Sequence, residues 1–241
     1  MIKSLIILFL FIFMSCTDQL VEKTSPLDGI YYILDGWKKF EDGDYDRAHD
    51  LFSTVLLNNN TQYFGDAYVG LAWNSIYKAN SIQGLSNLNS REYQRSISNE
   101  YFSLAAEYVG NNNCPSSECS ILCQNLLAGQ AYNSSYQALE SSRKFYDYGL
   151  DSTYWYMMVD HSDSTMIYSQ QLLGQEMNEC NVEYIFDHDT LINHNTIRIL
   201  RAQTEVRLGN FNNAELELLE VQDLDCDLNI QTVVECLNSL E

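Results

Sequence analysis

Two ten-residue segments near opposite ends of the chain follow the same pattern. Residues 43–52 read GDYDRAHDLF and residues 209–218 read GNFNNAELEL. Each segment has glycine, then Asp or Asn, an aromatic residue, Asp or Asn, any residue and alanine. Apolar residues recur at spacings of three and four on both sides of each glycine, which predicts two amphipathic helices joined by a tight turn. Because one such hairpin cannot bury its apolar face alone, the recurrence predicts a stack of hairpins.

The first hairpin can be followed along the chain. One face of its first helix carries Ile30, Ile33, Leu34, Trp37 and Phe40. Gly43 ends that helix, and Asp44 is predicted to cap the next one, because its carboxylate can accept a hydrogen bond from a free N–H of the first turn. The apolar side of the second helix carries Tyr45, Ala48, Leu51, Phe52 and Val55.

This arrangement resembles the tetratricopeptide repeat (TPR). The likeness lies in a small residue on the first helix, a glycine turn, an aromatic residue that opens the second helix, and an alanine where the helices cross. The matching residues of the first unit are Gly36, Gly43, Tyr45, Ala48 and Phe52, and those of the last unit are Ala202, Gly209, Phe211 and Ala214. The resemblance implies an α-solenoid whose partners are proteins or peptides.

Weaker copies of the unit appear in the middle of the chain. AYVGLAW and LLAGQAY place Gly70 and Gly129 in the small position of two further first helices. A second helix is predicted over residues 90–109, with an apolar side formed by Tyr93, Ile97, Leu104, Ala105 and Tyr108. The tail, residues 230–240, is predicted to be a capping helix. The predicted fold is therefore all-α, an α-solenoid of TPR-like helical hairpins over residues 27–241.

Residues 145–194 do not follow the repeat and are interpreted as an irregular insertion. A helix is predicted at about residues 164–178, strand propensity marks residues 182–186, and extended loop is expected elsewhere. Insertions in repeat proteins usually lie on one face and often carry binding. Three consecutive aromatic residues, Tyr154, Trp155 and Tyr156, are the binding candidates, because Tyr and Trp are enriched at interaction hot spots. The alternative is that some of them pack on the core, as predicted for Trp37 and Trp73.

The insertion also holds three of the four histidines, with several aspartates beside them. These residues are His161, His188, His194, Asp160, Asp163, Asp187 and Asp189. They have the chemistry of metal ligands, but their spacing matches no metal motif, and Asp and His are ordinary turn and cap residues. No metal or other cofactor is therefore expected. The chain has neither a G-x-S-x-G turn nor a phosphate-binding glycine loop, and no enzymatic activity is predicted.

The N-terminus reads MIKSLIILFLFIFMSC, a single lysine followed by an apolar run too short to span a bilayer. FMSC resembles the lipobox of bacterial lipoproteins, although Phe13 stands where leucine is commonest. The resemblance implies a signal peptide over residues 1–15, lipidation of Cys16 and a tether over residues 16–26. A signal cleaved elsewhere is the alternative. Thr17 is not the aspartate that retains some lipoproteins at the inner membrane, which favours the outer membrane, facing the periplasm.

Cysteine count and charge bear on the same question. If Cys16 carries lipid, six cysteines remain, and an oxidising compartment would allow all of them to pair as disulfides. The expected pairs are Cys226 with Cys236 and one within the cluster Cys114, Cys119 and Cys123, while Cys180 has no assigned partner. The formal net charge of −20 excludes nucleic acid and anionic lipid surfaces as partners, since both require basic residues. The charge indicates either solubility alone or a cationic partner.

Together these features predict a protein-interaction scaffold or adaptor, anchored by lipid to the cell envelope. Two alternatives stay open. One is a glycan- or nutrient-binding outer-membrane lipoprotein, for which exposure of Trp155 and Tyr156 beside a polar cleft would speak. The other is a component of outer-membrane protein assembly, which rests on likeness of fold alone.

Overall fold

The computed structural model of the chain describes residues 26–58, 61–110, 120–149, 151–175, 183–222 and 233–239. Within these residues the chain is helical and has no β-strand, which confirms the all-α prediction. The helices are α1 (Pro26–Glu41), α2 (Tyr45–Leu57), α3 (Phe64–Ser81), α4 (Leu88–Gly110), α5 (Ile121–Tyr146), α6 (Thr153–Gln175), α7 (His194–Arg207), α8 (Phe211–Leu219) and α9 (Val233–Ser239). The predicted signal peptide, Cys16 and most of the tether lie outside the described residues.

The helices pack as four consecutive hairpins, α1–α2, α3–α4, α5–α6 and α7–α8, followed by α9. The second helix of each hairpin also packs on the first helix of the next. The first helices contact one another in turn, α1 with α3, α3 with α5 and α5 with α7. This is the nearest-neighbour stacking of a solenoid-like fold.

The two turns that share the glycine pattern have the same geometry. Gly43 and Gly209 have φ angles of 75° and 81°, in the left-handed region that side chains other than glycine rarely adopt. After each glycine the next N–H returns to the helix, Asp44 N to Lys39 O (2.9 Å) and Asn210 N to Glu205 O (2.8 Å). Asp44 then caps α2 as predicted, because its carboxylate accepts a hydrogen bond from the backbone N–H of Arg47.

The predicted small positions are sites where helices approach closely. The ring of Phe52 lies between Gly36 and Gly70, and a Cβ built on either glycine would come within 2.6 Å of it. Between the second and third hairpins, a Cβ on Gly129 of α5 would come within 2.1 Å of Phe102 Cζ on α4. Ala48, Ala202 and Ala214 are fully buried where the helices of their hairpins cross.

The structure corrects the predicted insertion. Nearly half of residues 145–194 is the 23-residue helix α6, which begins at Thr153 rather than near residue 164 and is the second helix of the third hairpin. The predicted strand over residues 182–186 is also wrong, because its described part, residues 183–186, makes only an isolated bridge between Ile185 and Asn193. What remains irregular is the short segment before α7.

The apolar side predicted for α4 is wrong except at Ala105, which is buried as predicted. Tyr93 and Tyr108 are exposed at 65% and 46%, whereas the buried face carries Arg95, Ser98, Phe102 and Ala105. Those residues recur at three- and four-residue spacing, so the helical period is right and the face is not. A buried arginine on this face indicates a polar interior between α4 and α5.

Candidate functional site

Residues 184–193, called the strap below, cover the aromatic side chains of α1 and α3. Phe186 is fully buried and stacks on Trp73, with ring centroids 4.3 Å apart. Trp37 and Phe40 meet the same ring edge-on at 5.8 and 6.2 Å. The strap therefore fills the face formed by the first helices of the first two hairpins.

Polar contacts hold the outer part of the strap. Tyr77 Oη donates a hydrogen bond to Asp189 Oδ2. Burial, together with that bond to a carboxylate, raises the pKa of Tyr77 far above its usual value, so the phenol stays a proton donor. The His188 ring stacks on Trp37 at 3.9 Å with an interplanar angle of 5°, and its Nδ1 lies 2.8 Å from Glu41 Oε1.

The strap is also closed by its own backbone. Phe186 N donates to Ile192 O (2.9 Å), and His194 N donates to Tyr184 O (2.8 Å). The phenol of Tyr184, which is 2% exposed, donates to Asn125 Oδ1 on α5. These contacts make the strap part of the core that the helices share.

The three histidines weighed as metal ligands in the sequence lie in separate places. His161 is on α6, His188 is in the strap, and His194 is the first residue of α7. Asp160 and Asp163 are exposed on α6. Over the part of the chain that the structure describes, no three His, Cys, Asp or Glu side chains are grouped so that they could hold a metal ion.

A groove runs between α4 and α6 and has α5 as its floor. Two cavities of about 410 and 650 Å³ lie along it and share Asn99, Gln137 and His161. The lining includes many neutral polar side chains, among them Ser96, Asn99, Ser103, Gln130, Gln137 and Gln171. Burial lowers the pKa of His161, so its imidazole is neutral at neutral pH and adds a further uncharged polar group. This surface is called the α4–α6 groove below.

Beneath the groove lies an ionic network. Arg95, which is 2% exposed, places its Nε 3.1 Å from Glu140 Oε1, and Arg91 Nε lies 3.4 Å from the same oxygen. Asn80 Oδ1 accepts a hydrogen bond from Arg95 Nη2 (2.9 Å), and Asn133 Nδ2 donates to Arg95 O (2.9 Å). The other oxygen of Glu140, Oε2, is buried and has no hydrogen-bond partner among the described residues. A buried acceptor without a partner is costly, which marks this end of the groove.

Of the three predicted binding aromatics, Tyr154 lines the groove. Lys144 Nζ lies 4.9 Å from the centroid of its ring and also pairs with Glu92. Trp155 is half-buried and packs against the last turn of α5, where Phe145 is the nearer ring at 5.7 Å. Tyr156 is 67% exposed and does not line either cavity. The prediction thus identified one residue of the groove wall, Tyr154 on α6. The three rings do not form a single binding surface, because each has different surroundings.

Sequence reasoning missed Glu140 and Lys144, which line the groove, and Arg95, which pairs with Glu140 beneath it. Charged residues are normally assigned to solvent, and no apolar pattern marks them. One signal was present: Arg95 lies three positions before Ser98 on α4, Lys144 lies three positions after Ser141 on α5, and both serines are buried. Charges that share a helical face with small buried residues indicate a polar interface between helices.

Of the six cysteines expected to pair, Cys123 in α5 and Cys236 in α9 are buried, and both are disulfide-bonded. Cys114, Cys119, Cys180 and Cys226 lie outside the described residues, so the connectivity stays a prediction. None of the described helices combines the length and the apolar character that crossing a bilayer requires. Comparison of the chain with protein-family models, with curated proteins and with solved structures finds no match.

Proposed function

We propose that this protein is a lipid-anchored, extracytoplasmic scaffold of TPR-like hairpins that binds a segment of a partner protein in the α4–α6 groove. The observation that carries the proposal is the position of the strap. Phe186 occupies the face that the first helices of the first two hairpins form. A partner that binds these hairpins therefore needs a different surface. The α4–α6 groove is such a surface, with solvent-exposed Ser103 and Gln171 on its two walls.

The groove chemistry favours a polypeptide. Amide side chains both donate and accept hydrogen bonds, as peptide groups do. Gln130 and Gln171 line the smaller cavity. Ala106, Val109 and Tyr168, which are only partly buried, line the same cavity and provide apolar contact for side chains. An extended segment could therefore pair its backbone with the amides and place alternate side chains on the apolar part.

The arrangement of the aromatic residues favours a peptide over a glycan. Sugar-binding sites use an open aromatic face beside polar groups. Here Lys144 lies over the ring of Tyr154, and Trp155 packs on Phe145. The proposal is accordingly binding of protein, without a catalytic step.

Membrane attachment is tested by replacing the lipidated residue. In cells, Cys16→Ser should move the full-length protein from the membrane fraction to the soluble fraction, because a thioether-linked lipid can no longer form. Tyr156→Phe, which also changes a single heavy atom and lies at an exposed position, is the control and should stay in the membrane fraction. Retention of the Cys16→Ser protein in the membrane would refute the lipid anchor.

Partner binding is tested by photo-cross-linking in native membranes. A benzophenone side chain is placed at Ser103 on α4 or at Gln171 on α6, and at Asn212, which is exposed on α8, as the control. The proposal expects the same protein adduct from Ser103 and Gln171, with the cross-linked peptides from one segment of the partner, and no such adduct from Asn212. Equal labelling from all three positions, or none from the groove, would count against it.

A further inference from the structure

The basic side chains at the α4–α6 groove are already neutralised. Within the described residues, Arg91 and Arg95 both face Glu140, and Lys144 pairs with Glu92. His161 adds no positive charge at neutral pH, because burial lowers the pKa of its imidazole. A ligand entering the groove therefore meets no cation that still needs a partner there.

Several carboxylates of the groove have no cationic partner in the described structure. Asp151 lines the larger cavity, and its Oδ1 accepts a hydrogen bond from the backbone N–H of Thr153 at 2.9 Å. The hydrogen bonds from Thr153 lower the pKa of Asp151 and keep its carboxylate ionised. Glu100 and Glu107 each follow a lining residue of α4 by one helical turn, and Asp160 does so on α6. All four are exposed. The rims of the groove are thus acidic on both walls.

A buried carboxylate oxygen is a further acceptor beside the groove. Glu140 lines the larger cavity and is 4% exposed. Its Oε2 has no hydrogen-bond partner among the described residues. Buried carboxylate oxygens are almost always hydrogen-bonded in native proteins. This oxygen is closed off from the cavity, so a rotation of the Glu140 carboxylate towards the groove is needed before an N–H group of a bound ligand can supply that bond.

The dimensions fit an extended chain. From Glu92 to Val109 the lining of α4 spans 17 helical steps, which is about 25 Å at 1.5 Å per residue. An extended peptide covers that distance with about eight residues. The two cavities, about 410 and 650 Å³, share three lining residues and together follow α4 over this length.

We propose that the segment accepted by the α4–α6 groove is a basic, extended peptide, with its Lys or Arg side chains directed at Glu100, Glu107, Asp160 and Asp151. This inference rests on the proposed function and names the chemistry of the partner. The formal charge of −20 on the whole chain adds long-range attraction for such a segment, which raises the association rate at low salt.

The test uses the full-length protein and a fluorescein-labelled octapeptide of alternating lysine and serine, with binding followed by fluorescence anisotropy. Matched peptides carry glutamine or glutamate in place of lysine. The lysine peptide should bind, the glutamate peptide should not, and binding should weaken as salt rises from about 0.02 to about 0.2 M, because exposed charges are screened. Cross-linking from benzophenone at Ser103 verifies that the peptide lies in the groove.

A charge-matched pair of variants locates the interaction. The triple variant Glu100→Gln, Glu107→Gln and Asp160→Asn removes three rim charges, and we expect it to weaken binding about tenfold. The control removes three exposed carboxylates elsewhere, Asp35→Asn, Asp50→Asn and Glu220→Gln, and should change binding by less than about twofold, since only the screened long-range field is altered.

The outcomes separate this inference from the proposed function. Equal losses in the two triple variants, or a glutamine peptide that binds as tightly as the lysine peptide, would overturn the preference for a basic segment. If the glutamine peptide binds as tightly as the lysine peptide and is cross-linked from Ser103, the groove is still a peptide-binding site, but one without a preference for basic segments. If no peptide is cross-linked from Ser103, the inference fails, and the native-membrane experiment decides separately whether the groove binds a protein.

Discussion

Replacing Gly129 by alanine should destabilise this protein, although the same change stabilises most helices. Gly129 is in the interior of α5, where alanine is favoured over glycine by about 1 kcal/mol. The added Cβ, however, would lie 2.1 Å from Phe102 Cζ and 2.8 Å from Cε1 on α4. To reach an ordinary contact of 3.4 Å, the ring or the helix must retreat by roughly 1.3 Å. Phe102 is fully buried beside Trp73, so the ring has little room to move.

The size of the effect follows from these two opposing terms. Forcing extra volume into a packed core costs about 1–3 kcal/mol, and the helix preference of alanine returns about 1 kcal/mol of it. We therefore expect a net loss of about 1–2 kcal/mol in the free energy of unfolding. For a chain of this length that lowers Tm by about 2–8 °C.

Urea unfolding followed by circular dichroism measures this loss, provided that the m-value is unchanged. Gly174→Ala is the matched control, because Gly174 is also helical and a Cβ there meets no heavy atom of the described residues within 4 Å. It should be neutral or stabilising. In the background of Phe102→Leu, where the para carbon is absent, Gly129→Ala should cost less than in the natural chain. If Gly129→Ala is as harmless as Gly174→Ala, the close approach of α4 and α5 does not depend on this glycine.

Two further predictions concern the strap and the last hairpin. Phe186→Ala should lower the free energy of unfolding of the whole fold by about 3–5 kcal/mol, because the ring is fully buried among aromatic residues of α1 and α3. Urea unfolding measures this loss. A loss of stability confined to the strap, seen as local amide exchange alone, would contradict the prediction. Glu217 is partly buried, which alone would raise its pKa, yet hydrogen bonds from two arginines of α7 lower it. Its stabilising contribution is therefore present above the ordinary glutamate pKa of 4.5 and lost as pH falls through the lowered value, so Glu217→Gln should flatten the decline of stability on acidification.

The parts of the fold that the sequence predicts well are those fixed by local geometry. Gly43 and Gly209 are needed where φ is positive, and Asp44 caps the helix that follows within three residues. Gly70 and Gly129 were identified from seven-residue copies of the repeat, and both prove to face a phenylalanine of a neighbouring helix. Each of these requirements can be read within one or two turns of chain.

The parts that the sequence does not predict depend on contacts far apart in the chain. Arg95 is buried because Glu140, 45 residues later, neutralises it. Phe186 is buried because Trp73, more than a hundred positions earlier, stacks on it. When the distant contact residue is unknown, the sequence pattern predicts that an arginine is exposed to solvent and that VEYIF is a strand. The candidate site fell in this second category except at Tyr154, where an aromatic run happened to mark one wall.

The segment that departs from the repeat contributes to two faces of the molecule. Its helix α6 forms one wall of the α4–α6 groove through Tyr154 and His161, and the strap that follows covers Trp37 and Trp73 with Phe186. A stack of hairpins offers ligands a first-helix face and a second-helix face. Because the strap fills the former over the first two hairpins with contacts of core quality, displacing it would cost much of the stability of the fold. Binding on the second-helix face costs no such rearrangement, which is why the acidic rims and the unpartnered oxygen of Glu140 are the features on which a partner of this protein should depend.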